Sequence, residues 1–157
     1  MAVTFTDKEI DALVSERKTL PQDWPARVQL RPKRGHSERS LDVAGASGNE
    51  FRVILRQSSL NKLNFSVILA VRVPNTNQFF RLRRCNGKSH KHRNLIEGTS
   101  FYEFHIHIAT ERYQARGSDE DGYAEVTDSY SDFAGALQQM LADGNFVIPP
   151  GTQMGLL

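Results

Sequence analysis

At 157 residues, with 39% hydrophobic and 24% charged positions, the chain is long enough to bury a core without staples and too apolar to be disordered. Its longest apolar run, Val67 to Val71, is too short for a membrane-spanning helix, and its single cysteine, Cys85, excludes an internal disulfide or a multi-cysteine zinc site. The opening MAVTFTDKEI lacks the basic-then-apolar layout of a secretory signal, so a cytoplasmic protein is expected, with no membrane partner.

The net charge of +2 hides a polarity along the chain. Residues 1–116 hold all 20 Lys and Arg and 11 of the 18 Asp and Glu, a balance of +9; residues 117–157 hold the other 7 acids, a balance of −7. Two readings follow: an anionic partner, nucleic acid first, for the basic part, or an acidic end that packs against it and cancels its field. The acidic third and the tail are also candidates for a protein partner.

In chain order, Phe5-Thr-Asp-Lys-Glu9 opens a helix, with Thr6 as N-cap, Glu9 completing a capping box, and Ile10, Leu13 and Val14 as the apolar stripe. Between Pro25 and Gly48, Val28 to Leu30 and Ser40 to Val43 alternate like short strands. They flank the basic turn Arg31-Pro-Lys-Arg-Gly-His36, and Pro32 points to an edge strand. Phe51, Val53 and Leu55, then Leu63, Phe65, Val67, Leu69, Val71 and Val73, then Phe80 and Leu82, alternate with other residues over three segments, which predicts a β-meander. If Val73 faces Gln78, Val71 meets Phe80 and Leu69 meets Leu82. Arg52, Arg56, Arg72, Arg81 and Arg83 then share the opposite face. A fourth strand over 101–109 puts Tyr102, Phe104, Ile106 and Ile108 inward and Glu103, His105 and His107 outward. The connection from Asn86 to Ser100 is long for a compact domain and carries Lys88, His90, Lys91, His92 and Arg93, so it is a candidate to fold over the open face. A last helix begins near Thr127-Asp-Ser129 and ends at Gly144. The whole predicts an α+β fold: an antiparallel β-meander sheet of four to six strands, with N- and C-terminal helices packed on one face. Residues 1–145 form one domain and 146–157 an extended tail.

Four of the five histidines form two His-x-His pairs, His90/His92 and His105/His107. Three chemistries fit. Histidine titrates near neutrality and guanidinium grips phosphate, so His105, His107, His90 and His92 as acid–base candidates would make an RNA- or nucleotide-directed hydrolase. Arg81, Arg83, Arg93, Arg112 and Lys88 would hold phosphate, with Tyr113 stacking or donating a proton. This reading expects no cofactor. Alternatively, the basic face binds nucleic acid or a protein without catalysis. Thirdly, alternate strand positions put two imidazoles about 7 Å apart at Cα, a chelating spacing. A divalent metal at His105/His107, with a third ligand from Glu103, His90 or His92, would make a metal-dependent hydrolase.

The run Arg81-Leu-Arg-Arg-Cys-Asn-Gly87, with His90, Asn94, His105-Ile-His107, Glu111 and Tyr113, resembles an uncharacterised bacterial family, a domain of unknown function common in mobile elements. That family shows an arginine-leucine-arginine strand, an Asn-Gly turn, a loop with His and Asn, a His-hydrophobic-His strand, a Glu-x-Tyr-like segment and a short acidic helix. The likeness covers roughly residues 51–143. It departs in the loop, which here reads His-Lys-His-Arg-Asn-Leu-Ile-Glu-Gly, where the family is closer to His-x-Asn-Pro-Asp-Gly. The resemblance implies that the two histidine clusters form one site and suggests a toxin-like or phage-conflict role; it brings no established activity.

Overall fold

The computed structural model describes residues 3–153. Helix α1 (Asp7–Ser15) starts as its sequence dictates: Thr6 Oγ1 accepts from the Glu9 amide at 3.1 Å and Glu9 Oε1 accepts from the Thr6 amide at 2.9 Å. Strand β1 (Lys18–Thr19) and a helical turn, α2 (Trp24–Arg27), follow. The sequence suggested a strand at Val28 to Leu30, but Val28 instead ends α2, its amide bonded to the Trp24 carbonyl and its side chain in the core.

The central sheet has seven strands, more than the four to six expected. Its order is β10-β9-β6-β5-β4-β3-β2, and each neighbouring pair is antiparallel. In chain order the strands are β2 (Arg31–Pro32), β3 (His36–Ala44), β4 (Glu50–Ser58), β5 (Phe65–Arg72), β6 (Phe79–Asn86), β9 (His105–Ile108) and β10 (Ala124–Val126). The extra strands are short segments, β2 and β10, at the two edges. Between β6 and β9 the long connection forms its own hairpin, β7 (His92–Asn94) with β8 (Thr99–Phe101).

One face of the sheet is apolar. Leu41, Val43, Phe51, Val53, Leu55, Val67, Leu69, Phe80, Leu82, Cys85 and Ile106 share one core with Ile10 and Leu13 of α1, Trp24 of α2, and α4 (Phe133–Asp143). Helix α4 starts later than expected, at the N-cap Asp132, whose carboxylate accepts from the Gly135 amide. A short α3 (Glu111–Ala115), capped by Thr110, was not anticipated. Phe146–Val147 pairs in parallel with β1 as β11, and Trp24 Nε1 donates to Thr152 Oγ1. Residues 146–153 thus pack on the domain, while 154–157 of the expected tail lie outside the described residues.

Lys18 ties these ends together. Its side chain is fully buried, and its ammonium lies 2.6–3.1 Å from the carbonyls of Leu13, Val14, Glu16 and Gly144, at the C-terminal ends of α1 and α4. A cation at two helix C-termini complements both backbone dipoles.

The register departs from the simple meander at one point. Val71 faces Phe80 as alternation requires, but a bulge in β6, opposite the Leu69–Ala70 step of β5, sets Leu69 against Arg83 rather than Leu82. Leu82 is the extra residue on β6, so alternation restarts there. Cys85 and Arg83 turn to the helix side, and Arg84 and Asn86 turn to the open face.

Candidate functional site

On the open face, successive strands carry side chains in one row: Arg56 faces Ser66, Ser66 faces Asn86 and Asn86 faces His105. In the neighbouring row Arg84 faces His107. Both imidazoles project away from the apolar core, as alternation predicts, while Phe104 and Ile106 pack inward. Tyr102, expected inward, is exposed, because the strand begins only at His105. Glu103 also falls before the strand. Its carboxylate accepts from the Tyr102 amide, so it does not join the histidine row.

The rings are nonetheless covered. His105 is 3% and His107 7% exposed, under the β7–β8 hairpin, which folds over the open face and brings His92 to both. The ring centroids are 4.8 Å apart for His92 and His107, 4.9 Å for His105 and His107, and 5.5 Å for His92 and His105. One nitrogen of each ring lies within 4.8 Å of the others.

Hydrogen bonds fix the tautomers. His105 Nδ1 is 2.8 Å from the Glu103 carbonyl and His107 Nδ1 is 2.8 Å from the Asp121 carbonyl; a carbonyl only accepts, so both Nδ1 atoms carry the proton. Asn94 settles His92. Its amide nitrogen donates to the Ala124 carbonyl at 2.8 Å and to Thr99 Oγ1 at 3.2 Å; its Oδ1 accepts from the Ala124 amide at 2.9 Å and so also from His92 Nε2 at 2.8 Å. Three lone pairs are left: His92 Nδ1, His105 Nε2 and His107 Nε2. The last meets only Asn86 Nδ2 at 3.4 Å, the long limit of a hydrogen bond.

Burial disfavours the imidazolium form at both strand histidines. It pushes His107 down to about 3, with His105, His92 and Arg84 acting the same way against the Asp121 carbonyl. Burial likewise holds His105 below the usual histidine range, aided by His92, Arg84 and His90 and opposed by the Glu103 carbonyl. Both rings are therefore neutral near pH 7.

The remaining sequence candidates are scattered. His90 is exposed on the lip of the cleft, a cavity of about 300 Å³ that also bears Arg84, Asn86, Ser89, Lys91 and the three rings. Arg81 pairs with Glu120 and Asp121, and Arg112 pairs with Glu97. Arg83 is corrected outright: the bulge turns it toward α4, where it faces Asp143 at 3.7 Å. Arg93 points to the far side of the hairpin from His92 by strand alternation. Lys88 sits over the Phe104 ring at 5.3 Å. Tyr113 is 1% exposed and is absent from the lining of the histidine cleft. Its hydroxyl donates to Glu97 at 2.6 Å and accepts from the Ile96 amide at 3.1 Å, anchoring the hairpin turn to α3. The acidic third thus folds onto the basic part through Glu120, Asp121 and Asp143, which neutralise Arg81, Arg83 and Arg84.

Arg84 is the cation at the site that alternation alone misses. Its Nε and Nη2 reach Ser66 Oγ at 3.2 and 2.9 Å, Nε also reaches Asn86 Oδ1 at 2.7 Å, and Nη1 is 3.3 Å from Asp121 Oδ2. A signal existed: Leu82 and Cys85 are separated by an odd number of positions, so both can face the core only across an irregularity. Asn94 had a place in the family pattern but no role there.

Fold and site together define an α+β protein whose large antiparallel sheet holds a buried three-histidine cluster under a hairpin. The chain belongs to the family of unknown function DUF6978, whose model matches residues 5–145, a wider span than the sequence likeness at 51–143. No curated protein and no solved structure matches it. Among the described residues no helix is long and apolar enough to cross a membrane.

Proposed function

We propose that His92, His105 and His107 hold a divalent metal ion of the zinc class and that the protein is a metal-dependent hydrolase. One observation carries this reading: each imidazole has one nitrogen tied to a carbonyl-type oxygen, and a nitrogen of each ring lies within 4.8 Å of those of the other two. Metal-binding histidines are oriented in just this way. The donor set fits the ion, since three imidazole nitrogens suit zinc and leave a fourth position open to the cleft. Zinc bonds of about 2.0–2.1 Å in tetrahedral geometry put nitrogens about 3.3 Å apart, so the ring nitrogens must close in somewhat. His92, on the hairpin, is the ring able to approach. Arg84 opposes a dication, and the Asp121 carboxylate beside it offsets that repulsion.

A bound ion would supply an acidified water at neutral pH. The chain supplies the rest: burial disfavours the protonated form of His105 and His107, Asn94 and the two carbonyls hold the rings, and exposed His90 stands at the lip of the cleft. The metal-free acid–base alternative needs one protonated ring, and burial disfavours that form at both His105 and His107.

The test is metal titration of chelator-stripped protein, followed by cobalt substitution. One equivalent of zinc or cobalt should bind, with a four-coordinate cobalt spectrum, and His92→Ala, His105→Ala and His107→Ala should each abolish it. Wild-type protein that takes up no metal, or variants that bind as the wild type does, would refute the proposal.

A further inference from the structure

The histidine cleft does not end at Arg84. A second compartment of about 280 Å³ shares Asn64, Phe65, Ser66 and Arg84 with it and continues to Arg56 and His36. All five histidines of the chain line this joined groove, together with Arg56, Arg84 and Lys91; among the described residues no carboxylate lines it, although Glu38 and Asp121 bond to His36 and Arg84 of the lining. Strand register fixes its length: Arg56, Ser66, Asn86 and His105 stand on four adjacent strands, so three spacings of about 4.8 Å separate Arg56 from His105, about 14 Å in all.

The two arginines differ in their state. Arg84 is clamped by Ser66, Asn86 and Asp121, which leaves one N–H on each terminal nitrogen uncommitted. Arg56 is exposed and has no ion pair among the described residues. Glu38, its neighbour on β3, is engaged by His36 at 2.9 Å.

We infer that this second compartment is a phosphate subsite and that the substrate is a phosphate ester, seated with one phosphate between Arg56 and Arg84. Guanidinium groups bind phosphate oxygens through paired N–H donors, and a groove with cations in its lining raises the local concentration of a polyanion. The inference rests on the hydrolase reading of the histidine centre and names its substrate class. In the reaction a water oxygen bonds to phosphorus and the ester P–O bond breaks. The electron pair leaves on the alcohol oxygen, which takes up the proton that the water loses. A mononucleotide and a single-stranded nucleic acid present the same group, and a groove of this length accepts either.

The experiment measures binding of 5′-AMP and of a fluorescent single-stranded hexaribonucleotide to metal-free and zinc-loaded protein, with zinc titration in parallel. Arg56→Ala should weaken both ligands roughly tenfold and lower the salt slope by about one. Arg56→Glu should weaken them further, Arg56→Lys should partly restore binding, and zinc stoichiometry should stay unchanged in all three. Tighter oligonucleotide than AMP binding assigns a strand; equal affinities assign a single nucleotide. The subsite is overturned if neither ligand binds wild-type protein, if Arg56→Ala and Arg56→Glu both bind within twofold of it, or if polyglutamate binds as tightly as the oligonucleotide. Phosphate binding that depends on Arg56 in protein that takes up no zinc would sink the metal centre and leave the subsite standing.

Discussion

Asn94→Ala is the most demanding test of how the site is built. Asn94 is 3% exposed and makes four side-chain hydrogen bonds, joining β7 to β10 and orienting His92. Alanine removes all four and leaves both main-chain groups of Ala124 without their partner. Each hydrogen bond contributes about 1 kcal/mol net, and each buried group left unpaired costs about 1–3 kcal/mol. With the hairpin docked, the loss is therefore about 3 kcal/mol or more, a drop in Tm of about 6–12 °C for a chain of this size. The hairpin can instead release and let water satisfy Ala124, which caps the global loss at the docking free energy and shifts the effect into local opening. Thermal unfolding with amide hydrogen exchange over residues 92–101 separates the two outcomes. In either case zinc affinity should fall about 10–100-fold, the usual cost of losing a group that orients a ligand. A variant with unchanged Tm, unchanged exchange and unchanged zinc affinity would refute the reasoning.

Burial pushes Lys18 down to about 8, against an unfolded value near 10.5, despite the adjacent Glu16. Between those values the unfolded chain binds more protons, so this residue makes stability rise with pH. Lys18→Met should remove that rise: the wild-type advantage should grow from pH 8 to 10.5 by up to about 3 kcal/mol, read from urea melts at several pH values. The difference between the two proteins is the quantity to follow, because Cys85, pushed up to about 12 by burial, contributes the opposite slope above pH 9 in both. A constant difference would show that Lys18 is not so shifted. Gly87 lies where a Cβ would overlap the Leu63 carbonyl oxygen. Gly87→Ala should therefore destabilise by more than about 1 kcal/mol in chemical denaturation, and a neutral substitution would show that the turn yields.

The fold was legible wherever period two ran unbroken. Phe51 to Val73 and His105 to Ile108 needed no tertiary information, because a row misplaced by one residue would expose every apolar side chain it contains. The bulge at Leu82 broke that logic within β6 and exchanged the places of Arg83 and Arg84. The three-histidine cluster was half legible. Alternation gave His105 and His107, but the choice of His92 over His90 depends on Asn94 reaching Ala124, thirty residues on, which no local rule anticipates. Arg81, Arg83 and Arg112 carried the right chemistry for phosphate. Their engagement by Glu120, Asp143 and Glu97 is a matter of tertiary placement.

The two outer rims of the sheet have a consequence for how this protein behaves in a crowd of its own copies. A naked rim invites another chain to extend the sheet, the first step toward aggregation. One rim, β2, is two residues long, with an arginine and a proline that has no amide hydrogen to offer. At the other, Asn94 answers Ala124 with a side-chain amide where an eighth strand would have placed its backbone. Each border is thus blocked at its outermost strand, which hinders extension of the sheet there while its face carries a working surface.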